Sequence, residues 1–128
     1  MKYHELVERV EADAGLGREE AFRVTDAVFS TLAQRLSFEE AHDVASQMPR
    51  EVQAVMRPAL KGSAPTDVPM TRDEFLEHVA HRADIPLDAA ESRARTVFAT
   101  IRVALTDGEW ADVTARLPDS FAPLLPGS

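Results

Sequence analysis

Val28-Phe29-Ser30-Thr31-Leu32 and Val97-Phe98-Ala99-Thr100-Ile101 are two spellings of one short phrase, set 69 positions apart. Working outward from them, the register holds without a gap. Upstream, Glu5 falls on Glu74, Glu8 on Glu77, Val10 on Val79, Ala14 on Ala83 and Ala21 on Ala90. Downstream, Leu36 meets Leu105, Glu40 meets Glu109, Asp43-Val44 meets Asp112-Val113, and Pro49 meets Pro118. The conservative matches carry more weight than the identities. Leu6 meets Phe75, Leu16 meets Ile85, Met48 meets Leu117, and Val52 meets Phe121. Apolar character recurs at the same places throughout, which marks an internal duplication.

The spacing inside each copy is helical. Ala21, Val24, Val28, Leu32 and Leu36 form an i, i+4 stripe that Phe29 widens, predicting a long helix from about Arg18 to Arg35. Before it, Leu6, Val7 and Val10 predict a helix from about Tyr3 to Asp13, closed by Gly15 in a left-handed conformation. Phe75, Leu76, Val79, Ala80 and Ala83 repeat that helix, opened by a Thr71–Glu74 capping box. Asp88, with Glu91 three later, reads as the cap of the second long helix. Ser37-Phe38-Glu39-Glu40 and Thr106-Asp107-Gly108-Glu109 are both capping boxes for a third helix. Pro49 and Pro118 end it and suit the first position of a short fourth one. No segment alternates as a strand does. The expected fold is all-α: two tandem pseudo-equivalent units of about four helices each, packed into one helical bundle.

The unit boundaries follow from composition. Residues 1–57 form unit one and 70–126 unit two. Between them, residues 58–69 carry three prolines, a glycine and small polar residues, the chemistry of a linker. The closing Pro123-Leu124-Leu125-Pro126-Gly127-Ser128 reads as a fraying tail. Half of so short a chain is marginal alone, so the units are expected to share a core as one compact domain.

Bulk properties narrow the function classes. Twenty-two acidic residues against 14 basic ones give a net charge of -8. That field repels a phosphate backbone and an anionic lipid surface, so neither nucleic acid nor membrane is an expected partner. With no cysteine there is no disulfide, thiolate metal site or cysteine nucleophile. The opening Met1-Lys2-Tyr3-His4-Glu5 turns acidic at once and does not read as a leader. A cytoplasmic setting is expected.

Arg35-Leu36-Ser37-Phe38-Glu39-Glu40-Ala41, running on to Ala45-Ser46-Gln47-Met48-Pro49, has a cadence of its own. It returns in Asp73-Glu74-Phe75-Leu76-Glu77-His78-Val79-Ala80 and in Arg116-Leu117-Pro118. With these segments the chain resembles the bacterial domain-of-unknown-function family numbered 2267 over nearly its whole length. It departs from that pattern at Met48, where leucine is usual before the proline, and at Gly108-Glu109-Trp110, where a Glu-Glu-Ala step is usual. The resemblance implies a helical fold in a bacterial cytoplasm. It implies no activity and assigns no catalytic residue.

Four clusters invite a chemical reading, each with a plainer one beside it. Glu39 and His42 have the Glu-x-x-His spacing of di-iron bundles, but Gly108 and Ala111 stand at the matching places. A capping glutamate and a surface histidine explain the pair. Glu74, His78 and His81 can share a helix face and hold a divalent metal, with Arg9 and Ala12 at the places matching the two histidines. A solvated face opposite Phe75, Leu76 and Val79 explains them as well. Trp110, the one tryptophan, stands where unit one has Ala41. It is a candidate partner anchor, or it fills the seam between the units. Arg82, Arg93, Arg95 and Arg102 suggest an anion face. Ion pairing, at the unit junction for Arg93, is the alternative.

No phosphate loop or nucleophile elbow is present. The expected function is therefore non-enzymatic: a module that binds another protein or forms a homo-oligomer, with no catalytic residue and no cofactor. The alternatives are a small-molecule or divalent-metal site at the unit junction, and a helix-turn-helix regulator.

Overall fold

Helix α1, Tyr3–Ala14, buries Leu6, Val7 and Val10 along one side and leaves Glu5, Glu8 and Arg9 in solvent. It stops at Gly15, whose φ of 68° only glycine adopts without steric cost. The amide of Leu16 then donates back to the Glu11 oxygen at 3.0 Å, satisfying a terminal carbonyl. Helix α2, Arg18–Ala33, follows at once. Glu19 and Glu20 lie in its first turn, where negative charge favours the helix. Ala21, Val24, Ala27, Val28, Phe29 and Leu32 are buried.

This computed structural model describes residues 3–33, Ser46, Arg50, Gln53, 71–115, Leu117 and 119–126. Of the expected third and fourth helices of unit one only Ser46, Arg50 and Gln53 are described, each helical; the Ser37–Glu40 cap, the Glu39–His42 pair and the 58–69 linker lie outside the described residues.

Helix α3, Arg72–Ala83, opens with the capping box expected of Thr71 and Glu74. The Glu74 amide donates to Thr71 Oγ1 at 3.2 Å, and the Thr71 amide donates to Glu74 Oε1 at 3.4 Å. Its other end differs from anything the sequence announces. Asp84 takes a left-handed φ of 57°, and the Ile85 amide donates to the Ala80 oxygen at 3.0 Å. This is the turn that Gly15 makes after α1, built on an aspartate.

Helix α4, Leu87–Ala104, corrects one expectation. Its N-cap is Pro86, not Asp88, and no side chain caps it. The proline ring fixes φ at −62°, and the Ala89 amide closes the first turn on the Pro86 oxygen at 3.0 Å. Asp88 lies inside the first turn. Helix α5, Asp107–Ala115, starts from the expected Thr106–Glu109 box, with bonds of 2.9 and 3.2 Å. A 3-10 helix, Asp119–Leu124, takes the place of the expected short fourth helix. It also corrects the fraying tail over residues 123–125. Leu124 is buried, Leu125 packs on the core, and Arg95 Nε holds the Pro123 oxygen at 2.9 Å.

Short connections at 15–17 and 84–86 fold α1 onto α2 and α3 onto α4. The most extensive helix packing nonetheless joins the two halves, α2 on α3, and α1 likewise packs on α4. Each of the four helices thus has neighbours in both halves, and one core lies between them. Phe29, Phe75, Phe98 and Phe121 are fully buried there, each worth about 1.5–3 kcal/mol relative to exposure. Phe75 is central in the second half, 5.8 Å from the Phe98 ring and 5.0 Å from Phe121. Positions 69 apart share their burial: Leu6 with Phe75, Val10 with Val79, Ala21 with Ala90, Phe29 with Phe98, Thr31 with Thr100. The buried threonines return their hydroxyls to their own helix, Thr25 to Ala21 and Thr31 to Ala27 at 2.7 Å, Thr100 to Thr96 at 3.0 Å. Among the described residues there is no strand, and no helix is long and apolar enough to cross a membrane.

Candidate functional site

The metal reading depends on three side chains of α3. Glu74, His78 and His81 are all exposed. The Glu74 carboxylate is already the partner of Thr71, accepting from both its amide and its hydroxyl at 3.4 and 3.1 Å. Among the described residues, no three His, Asp or Glu side chains converge to hold an ion. The helix face carries the three residues, but the carboxylate is turned to the helix start.

The arginines separate along the structure rather than gathering. Arg82 Nη1 donates to Ser30 Oγ at 3.1 Å and Thr31 Oγ1 at 3.0 Å, tying α3 to α2. Arg93 lies 3.5 Å from Glu20 in α2, with side chains only 25% and 35% exposed. This is a contact between the halves, of the kind that Val24 at the matching position of unit one suggested. Its Nε is buried without a hydrogen bond, so the pair is ionic contact rather than an aligned N–H···O bond. Arg95 divides itself between Glu91 at 3.0 Å and Pro123. Arg102 meets Asp107 at 2.6 Å. Three of the four cations therefore face a carboxylate, and they do not form one anion face.

Trp110 is held by α5 and packs against the core while part of it stays in solvent. The Arg102 guanidinium lies over its ring, 6.0 Å from the centroid. That is the outer reach of a cation–π contact. Trp110 and Arg102 thus present a flat aromatic surface and a cation together at the end of α4. Both residue types are enriched among the residues that dominate protein interfaces.

Two features had no signal in the sequence. Leu87 and Val103 are 54% and 53% exposed, because they stand on the outer side of α4. An open cleft of about 530 Å³ lies beside Arg95, walled by residues 122–126. It exists because the chain end folds back on α4, which composition argued against.

A family model described as an uncharacterized conserved protein (DUF2267) matches residues 3–124. No curated protein matches the chain.

Proposed function

The chain belongs to the DUF2267 family, and from that premise we propose that it acts by binding another protein or a second copy of itself, and not by catalysis. The observation that carries the reading is Trp110, partly in solvent with Arg102 held across its ring. An aromatic ring pre-positioned on a rigid helix end loses little freedom on binding and buries a large area. The acidic surplus of the chain, -8 overall, favours a partner with a basic surface and speaks against nucleic acid. We also read the chain as two tandem copies of one helical unit working in a bacterial cytoplasm. The shared burial of positions 69 apart supports the duplication.

The test is capture of tagged chain from its native cells, with mass spectrometry of what co-purifies, in parallel with a Trp110→Ala variant checked for intact helicity. One stoichiometric protein, bound at least about tenfold more weakly by the variant, is the expected result. A partner bound equally by both forms would move the surface elsewhere. A preparation that carries a metal or small molecule and no protein would replace this reading.

A further inference from the structure

Where the chain end folds back on α4, it leaves an open cleft of about 530 Å³, lined among the described residues by Arg95 and residues 122–126. We propose that this cleft binds a small organic carboxylate with an aliphatic body. Arg95 holds the carboxylate, and the aliphatic chain lies on Pro123, Leu125 and Pro126. The cleft belongs to α4 and the 3-10 helix, whereas Trp110 belongs to α5, so this site goes beyond the protein-binding reading.

Size, wall chemistry and charge carry it. The volume falls within the roughly 300–1,000 Å³ of small-molecule sites. The wall is apolar in its side chains and poor in free main-chain groups. Pro123 and Pro126 have no N–H. The Ala122 oxygen accepts from the Leu125 amide at 3.2 Å, and the Pro123 oxygen accepts from Arg95 Nε at 2.9 Å. Ala122, Pro123 and Pro126 nonetheless stay exposed. Arg95 is the one charged residue of this lining. Its Nε serves Pro123 and its Nη2 serves Glu91 at 3.0 Å, while Nη1 donates to no described residue. The side chain is 55% exposed. Its bond to Pro123 fixes the guanidinium against the wall, so the N–H groups that remain are already ordered to receive a planar anion. The net charge of -8 does not cancel this cation at contact, because exposed charges beyond about 8 Å are screened at physiological salt. Glu91, one turn before Arg95 on α4, is the carboxylate that a ligand must share it with.

The test is titration of the nitrogen-15-labelled full chain with hexanoate, 1-hexanol and hexylamine, which share one aliphatic body and differ in the head group. NMR follows the amides of Ala122, Leu124 and Leu125 and the Arg95 Nε–H. Hexanoate should give saturable shifts in these groups and bind at least about tenfold more tightly than the alcohol or the amine, the contribution of one hydrogen bond to a charged group. Glu91→Gln removes the competing carboxylate without touching the wall. It should tighten hexanoate by about twofold, the worth of an exposed i, i+4 pair, and leave 1-hexanol unchanged. Arg95→Gln keeps a donor for the Pro123 oxygen and should abolish the preference for hexanoate. If that variant loosens the wall, Glu91→Gln alone decides. Equal binding of hexanoate and 1-hexanol, no saturable shift in these groups, or weaker hexanoate binding in Glu91→Gln overturns the proposal. So does a peptide ending in a free leucine carboxylate that binds there far more tightly than hexanoate, since the occupant would then be another protein's chain end. None of these outcomes bears on Trp110, so the two readings fall separately.

Discussion

Arg23, in the middle of α2, donates through Nε to the main-chain oxygen of Ala83, the last residue of α3, at 3.1 Å. The two residues are 60 apart in sequence. The bond places a cation at a helix C-terminus, where the carbonyl dipoles favour it, and it satisfies an oxygen that has no partner within its own helix. Arg23 is also 3.4 Å from Glu19 on its own helix, which steadies the side chain.

Arg23→Ala should therefore lower stability by about 1–2 kcal/mol, through the lost charge-assisted bond and an uncapped carbonyl. Urea unfolding checks this. Glu19→Ala should cost less than about 0.5 kcal/mol, since that pair is largely in solvent. Equal losses in both variants would mean that the cap contributes nothing.

The turns after α1 and α3 predict opposite responses. Gly15→Ala puts a Cβ on a backbone with φ of 68°, and although nothing lies within 4 Å, the conformation itself is strained. A loss of about 1 kcal/mol is expected. Asp84→Gly relieves the same strain at φ 57° and should gain up to about 1 kcal/mol. Thermal unfolding should show the two variants moving to opposite sides of the parent, by about 3–5 °C.

Phe121 pins the 3-10 helix by packing on Phe75 at 5.0 Å. Phe121→Ala should cost about 3 kcal/mol, at the low end for buried phenylalanine because the chain end can collapse into the gap. Leu87→Ala and Val103→Ala, both more than half exposed, should stay within about 0.5 kcal/mol. A comparable loss at Val103 would show that this side of α4 is covered in solution.

The metal reading has a direct check. Zinc titrated into the protein should leave its melting temperature unchanged, because Glu74 is committed to Thr71. Thr71→Ala should by contrast cost about 1 kcal/mol, by removing the cap. A zinc-dependent rise in melting temperature that His81→Ala abolishes would restore the site on α3.

What could be read from the sequence was local. The apolar stripes, the Thr71–Glu74 and Thr106–Glu109 boxes and the Gly15 turn depend on residues within four positions of one another, and the chain order displays them. Asp84 escaped because its left-handed turn uses a residue that carries no such preference strongly. Pro86 displaced Asp88 as cap because a fixed φ outweighed a side-chain acceptor. The packing of α2 on α3, and the bonds of Arg23 and Arg82 across it, span 51 to 60 residues and left no local trace. The junction pairing of Arg93 was partly legible, since a cation replacing Val24 demands an acid nearby. The Trp110 position was legible as a departure from Ala41, but its Arg102 partner was not.

The packing of each half on the other also bears on synthesis. Chains emerge from the ribosome at roughly 5–20 residues per second, so α1 and α2 leave the tunnel several seconds before α3 and α4. During that interval Leu6, Val10, Val28 and Leu32 lack the α3 and α4 surfaces that later cover them. A newborn chain therefore spends its first seconds with α1 and α2 not yet packed on α3 and α4, beside other chains in the same state on the polysome.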